Sequence, residues 1–139
     1  MRTLNTLSHE DAMLMVRAVQ SRLEEKQLGA AVAVVDAHGE LLAFLRTDGC
    51  RLTSITVAIN KAYTAAREQA PSKKLGDDAR ERGFPLTNFG ELRYVTWGGG
   101  VPVRSAGGEV VGAIGVSGLP EEADIELATL AAGLVSTCA

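Results

Sequence analysis

Ala30-Ala31-Val32-Ala33-Val34-Val35-Asp36-Ala37-His38-Gly39-Glu40-Leu41-Leu42-Ala43-Phe44-Leu45-Arg46 is the stretch on which the fold turns. Two apolar runs flank a short Asp/Gly segment, the pattern of two antiparallel strands joined by a tight turn. Neither run alternates cleanly between polar and apolar residues, so both faces of their sheet are expected to be covered. On the N-terminal side, Ser8 starts a helix with Asp11 completing a near capping box, and Ala12, Val16, Val19 and Leu23 recur at helical spacing. Gly29 is expected to close that helix as a left-handed cap. On the C-terminal side, Thr53 or Ser54 caps a second helix running to about Gln69. Pro71-Ser72 ends it and opens a shorter helix, from Lys73 to about Arg82, stopped by Gly83. Phe84 to Leu92 reads as a loop. Leu92–Thr96, Val101–Arg104 and Glu109–Ser117 read as three more strands. Pro120, at a first-turn position, opens a last helix to about Thr137. Grouped strands joined by tight turns predict an α+β fold, an antiparallel sheet flanked by helices.

The 139 residues fit one domain spanning 1–139. With 46% apolar and 22% charged residues the composition is globular. Fourteen basic residues against seventeen acidic ones give a formal charge of −3, which argues against a nucleic-acid partner. Aromatic residues make up 4%, too few for a base-stacking platform. Met1 to Leu7 contains no apolar run with a cleavage site, so no signal peptide is expected. No segment approaches the ~20 apolar residues that cross a bilayer, and no membrane partner is expected. Cys50 and Cys138 lie far apart and show no metal-binding spacing, which predicts reduced thiols in a cytoplasmic protein.

Several residues carry chemistry or punctuate the chain. Gly98-Gly99-Gly100 follows an expected strand: its amides either cradle a carboxylate, phosphate or propionate, or serve a strand crossover. Gly112, Gly115 and Gly118 stud the last strand, where glycine marks a bulge or the close approach of a ligand or a backbone. Asp36, Arg46 and Asp48 flank the hairpin. Lys61 sits on a Val57–Lys61–Thr64–Glu68 face of the second helix. There it either snorkels to solvent, pairs with a carboxylate, meets an anionic ligand, or acts as an acid or base. The candidate carboxylates are Asp36, Asp48 and Glu68. A second face of this helix carries Ile55, Ala58, Ile59, Ala62, Ala65 and Ala66, so the helix needs cover on both sides, which argues for self-association. His9, in the first turn of a helix, is the candidate metal ligand, because a positive helix end favours its neutral form. No zinc spacing accompanies it.

Three stretches together resemble a known family: Val34–Gly49, Ala58-Ile59-Asn60-Lys61-Ala62-Tyr63-Thr64-Ala65, and Gly99-Gly100-Val101-Pro102-Val103 with Gly108 and Val111–Gly118. The chain is similar to the GlcG/HbpS family, which also occurs as the C-terminal domain of PduO-type proteins. The likeness spans nearly the whole chain. Cys50 and Tyr63 depart from the commonest pattern, which has alanine and arginine there. The resemblance implies a five-stranded antiparallel sheet with helices on both sides, profilin-like or PAS-like, and homo-oligomers from dimer to octamer. It also implies haem binding in some members and a role beside catabolic enzymes in others.

Two readings follow. In the first, the protein binds a small molecule, haem or a related tetrapyrrole, between the second helix and the glycine loop. The ligand-binding residues would be Arg46, Asp48, Lys61, Gly98, Gly99, Gly100 and Gly115, with His9 on the metal. In the second, it is an enzyme (tautomerase, isomerase or lyase) acting on a small oxo-acid. Lys61 and Asp36 would then be catalytic and move protons, while Arg46 and the glycine amides hold a carboxylate or enolate.

Overall fold

The hairpin forms as its pattern dictates, in a computed structural model that describes residues 1–136. Strands β1 (Ala31–Asp36) and β2 (Leu41–Arg46) pair antiparallel. The Asp36 carboxylate closes the turn between them by accepting the N–H groups of His38 at 2.9 Å and Glu40 at 3.0 Å. Before them, helix α1 (His9–Glu25) starts on a complete capping box, with Ser8 and Asp11 each accepting the other's backbone N–H. Its C-terminal left-handed residue is Gln27, not Gly29. Gly29 serves another need: a Cβ there would lie 2.4 Å from the Asp48 carbonyl oxygen, where the loop after β2 crosses.

Helix α2 (Ser54–Glu68) ends on left-handed Gln69, α3 (Ser72–Arg82) ends on left-handed Gly83, and a short 3-10 turn covers Leu86–Phe89. Strands β3 (Gly100–Arg104) and β4 (Val110–Ser117) follow, then α4 (Glu121–Ser136). The Pro120 carbonyl accepts the Asp124 N–H at 3.1 Å, which puts the proline at the cap rather than in the first turn. Cys138 and the expected end of the last helix near Thr137 lie outside the described residues.

The sheet order is β2-β1-β4-β3, antiparallel throughout. Alternate residues of the central strands feed two cores. Val32, Val34, Ile114 and Val116 pack with α1 and α4 on one face, while Ala31, Ala33, Val35 and Ala113 pack with the alanines of α2 on the other. Helices therefore cover both faces, as the unbroken apolar runs require. β4 is buried along its length and β1 from Ala31 to Val35, whereas β2, at the sheet edge, is half-buried.

Among the described residues four strands form the sheet, one fewer than the sequence implied. Leu92–Thr96 is not a strand. Side chains of α2 and α3 hold this segment instead. Tyr63 donates its hydroxyl to Glu91 at 2.6 Å, the Val95 N–H is donated to Thr64 Oγ1 at 2.9 Å, and Gly76 leaves room for Thr96. Arg93 lies over the Tyr63 ring at 3.9 Å and hydrogen-bonds Glu91. Bonds from Arg93 and Tyr63 hold the Glu91 carboxyl down at about 2. The segment and α3 thus cover the outer side of α2, where Tyr63 and Thr64 are buried. Both sides of α2 therefore find cover within the chain, the alanine face on the sheet and the Tyr63–Thr64 side under this segment, so the helix gives no argument for self-association.

Candidate functional site

A cleft of ≈ 870 Å³ opens at one end of the sheet. Its floor is the end of β4 at Ser117 and Gly118, and its walls come from α2, from Trp97-Gly98 and from the start of α4. Val57, Trp97, Leu119 and Pro120 give it apolar surface, with Arg51 at its rim.

At its base lies a buried ion pair. Lys61 Nζ stands 3.3 Å from Asp124 Oδ2, and both side chains are almost fully buried. Lys61 also donates to the Val116 carbonyl at 2.9 Å. Asp124 Oδ1 accepts the Leu119 N–H at 3.1 Å. Burial pulls the lysine below its usual range, and the adjacent carboxylate offsets part of that pull. The partner was not foreseen: none of Asp36, Asp48 or Glu68 takes that place.

The glycines make this meeting possible. A Cβ on Gly99, whose φ is +124°, would lie 2.5 Å from the Val116 carbonyl oxygen and 2.9 Å from Lys61 Nζ. A Cβ on Gly100 would lie 2.3 Å from the Lys61 carbonyl oxygen, and the Gly100 N–H is donated to Ser72 Oγ at 2.9 Å. The Gly98 N–H does hold a carboxylate, that of Glu121, at 3.0 Å. Glu121 also meets Lys73 at 3.2 Å. Two of the three amides expected to cradle a ligand are thus engaged by the protein itself.

Of the residues singled out from the sequence, the fold brings Lys61 and Gly98 to the cleft wall, with Gly99 and Gly100 packed behind Lys61. Gly115 lies beneath α2, where a Cβ would come within 3.1 Å of Lys61 Cβ. Arg46 pairs in register with Ala31, which pairs with Ser117, so it stands at the cleft end of the sheet but on the edge strand. Asp48 is exposed in the loop after β2 and does not line the cleft. Asp36 is opposite Gly112, at the far end of β4 from Ser117, roughly 17 Å away at the usual strand rise. It does not meet Lys61. His9 is exposed at the start of α1, and Leu7, two residues before it, donates its N–H to the Val111 carbonyl at that same far end. The metal-ligand and catalytic expectations for His9 and Asp36 therefore fall outside this cleft. Among the described residues no group of three His, Cys, Asp or Glu side chains converges on a cation position, and no helix is long and apolar enough to cross a membrane.

Asp124, Glu121, Ser72, Trp97 and Arg51 were not singled out beforehand. Asp124 carried a usable signal. It shares the i, i+3, i+4, i+7 face of α4 with Leu127, Ala128 and Ala131, all buried.

Comparison with known proteins agrees with this fold. The family model described as haem-degrading protein HbpS-like matches residues 7–133. An uncharacterised 15.0 kDa protein of the dhaT-dhaS intergenic region of Citrobacter freundii is 36% identical, over 91% of this chain and 89% of its own length. The crystal structure of Klebsiella pneumoniae ORFY superposes with a TM-score of 0.89 at 29% identity, covering 98% of this chain and 94% of that one. The crystal structure of a PduOC–haem complex superposes with a TM-score of 0.83 at 29% identity, covering 92% and 94%.

Proposed function

This chain belongs to the HbpS-like family, and from that membership and the cleft we propose that it binds a small anionic molecule with an apolar body. The cleft carries the reading: ≈ 870 Å³ of space with apolar walls, a buried Lys61 at its base and Arg51 at its rim. Sites for small organic ligands share this build, mostly apolar with a few fixed polar groups. Proton transfer to an oxo-acid is the weaker reading, because Lys61 already directs two of its three N–H groups at Asp124 and Val116, and Asp36 stands at the other end of the sheet.

Haem is the ligand of the PduOC structure, and this cleft fits part of it. Val57, Trp97, Leu119 and Pro120 suit a flat ring, and Arg51 suits a propionate. Iron is another matter. Haem iron takes histidine, cysteine, methionine or tyrosine, and none of these lines the cleft. A tetrapyrrole held here is held by its ring and carboxylates. Haem and iron-free protoporphyrin IX are therefore expected to bind with affinities that differ by less than about tenfold, by titration against Trp97 fluorescence. Haem binding about 100-fold more tightly, with the Soret band of a nitrogen-ligated iron, would show that the cleft is not the haem site.

Self-association, from dimer to octamer, belongs to the same proposal. Phe84, Phe89, Leu92 and Trp97, all more than half exposed, support it. Light scattering at micromolar concentration should give two or more subunits, and a monomer would remove this part.

A further inference from the structure

Glu121 closes two donors at the wall of the cleft. One carboxylate oxygen accepts the buried Gly98 N–H at 3.0 Å and the other stands 3.2 Å from Lys73 Nζ. Both Glu121 and Gly98 line the cleft. The side chain itself is 40% exposed, so it can swing away without disturbing a core. A backbone N–H and an ammonium arranged around two coplanar oxygens form a receptor for any carboxylate of that shape. The Gly98 N–H, first, and Lys73 hold the Glu121 carboxyl below its usual range, which marks the spot as one that favours negative charge. Asp124, one turn on, cannot play this part, since its carboxylate is buried on Lys61 and Leu119.

We infer that Glu121 is a built-in competitor: its carboxylate occupies the anion subsite of the cleft, and an entering monocarboxylate displaces it from Gly98 and Lys73. This rests on the reading that the cleft is the ligand site. The chemistry it selects is a carboxylate carried on a body that packs against Trp97 and Val57. A neutral ligand of the same shape gains nothing from the exchange, because it can replace neither the charge nor the paired acceptors.

Trp97 is the chain's single tryptophan and lines the cleft, so its fluorescence reports occupancy. The probes are benzoate and its uncharged counterpart benzamide, titrated into the full chain. Glu121→Ala should bind benzoate at least about tenfold more tightly than the unaltered protein, with benzamide affinity unchanged. Glu121→Gln, which keeps an oxygen for the Gly98 N–H, should gain less. Adding Lys73→Ala to Glu121→Ala should reverse most of the gain. Equal, saturable benzoate binding with and without Glu121 overturns the inference and leaves the cleft as a ligand site. An equal gain for benzamide also overturns it, since removal of the side chain would then only have made room. Absence of saturable quenching in every variant, each with a cooperative melting transition, removes both the inference and the cleft reading.

Discussion

Gly115→Val is expected to leave no folded protein, and even Gly115→Ala should cost about 3 kcal/mol or more, the upper end of what overpacking costs. Gly115 sits mid-strand in β4, paired with Ala33 on one side and Gly100 on the other. A Cβ there would lie 2.2 Å from the Ala58 carbonyl oxygen and 2.7 Å from the Ala62 amide nitrogen. Both are backbone atoms in the middle of α2, so no side-chain rotation relieves the clash. The strand cannot retreat either, because it is hydrogen-bonded to neighbours on both sides. Only α2 can move, and lifting it breaks the alanine core and carries Lys61 away from Asp124. Gly133→Ala is the matched control. Its Cβ meets open space inside α4, so it should leave stability unchanged or raise it by up to about 1 kcal/mol. Chemical denaturation of the three proteins measures the contrast. A Gly115→Ala variant as stable as the unaltered chain would mean that α2 does not seat on β4 through this glycine.

The contrast between the two glycines indicates what a sequence can disclose. The hairpin, the capping box of α1 and the stop at Gly83 are local events, written within a few residues, and they form as read. Gly115 could be recognised as a point of close approach, because glycine in a strand has few other uses. What approaches it could not be recognised, since Ala58 is 57 positions away. The same limit explains the missing fifth strand. Leu92–Thr96 has a strand's composition, but Arg93 donates to the Tyr63 hydroxyl and the Val95 N–H to Thr64 on α2, and nothing within the segment announces that. A short apolar run takes whichever partner the tertiary fold offers. The site divides the same way. Lys61 stood out as a charge among apolar neighbours, whereas Asp124 resembled the other acids that open α4. Only its place in register with Leu127, Ala128 and Ala131 separates it from Glu121 and Glu122. Reading that face would also have replaced the three wrong partners considered for Lys61. The glycine loop was legible as unusual, and its anion was legible as a class. That the anion is the chain's own Glu121 required the fold.

Lys61→Met is expected to lower stability by about 3–5 kcal/mol, the usual cost of removing one partner from a buried ion pair. The methionine fills much of the lysine's volume, so the loss is electrostatic in origin. Asp124 would keep the Leu119 N–H but lose the ammonium at 3.3 Å, and its carboxylate is almost wholly removed from water. The Val116 carbonyl would lose its donor as well. For a domain of this size the drop in melting temperature should be about 10 °C or more. Asp124→Asn in the same chain neutralises the stranded charge while keeping an oxygen for Leu119. The double variant should therefore recover at least half of the lost stability, an interaction that a double-mutant cycle reads directly. Stability alone does not decide whether Lys61 serves the ligand, and the double variant decides that too. Its fold is largely restored and the net charge at the base of the cleft is unchanged, so benzoate binding at least tenfold weaker than to the unaltered chain, about 1.4 kcal/mol, is the result expected if an N–H of Lys61 contacts the anion directly. Full affinity in a well-folded double variant would make Lys61 a strut between α2 and α4. The anion would then be held by Gly98, Lys73 and Arg51 without it. A double variant no more stable than Lys61→Met would point instead to the Val116 bond as the larger loss, because that bond is the one interaction the second substitution leaves broken.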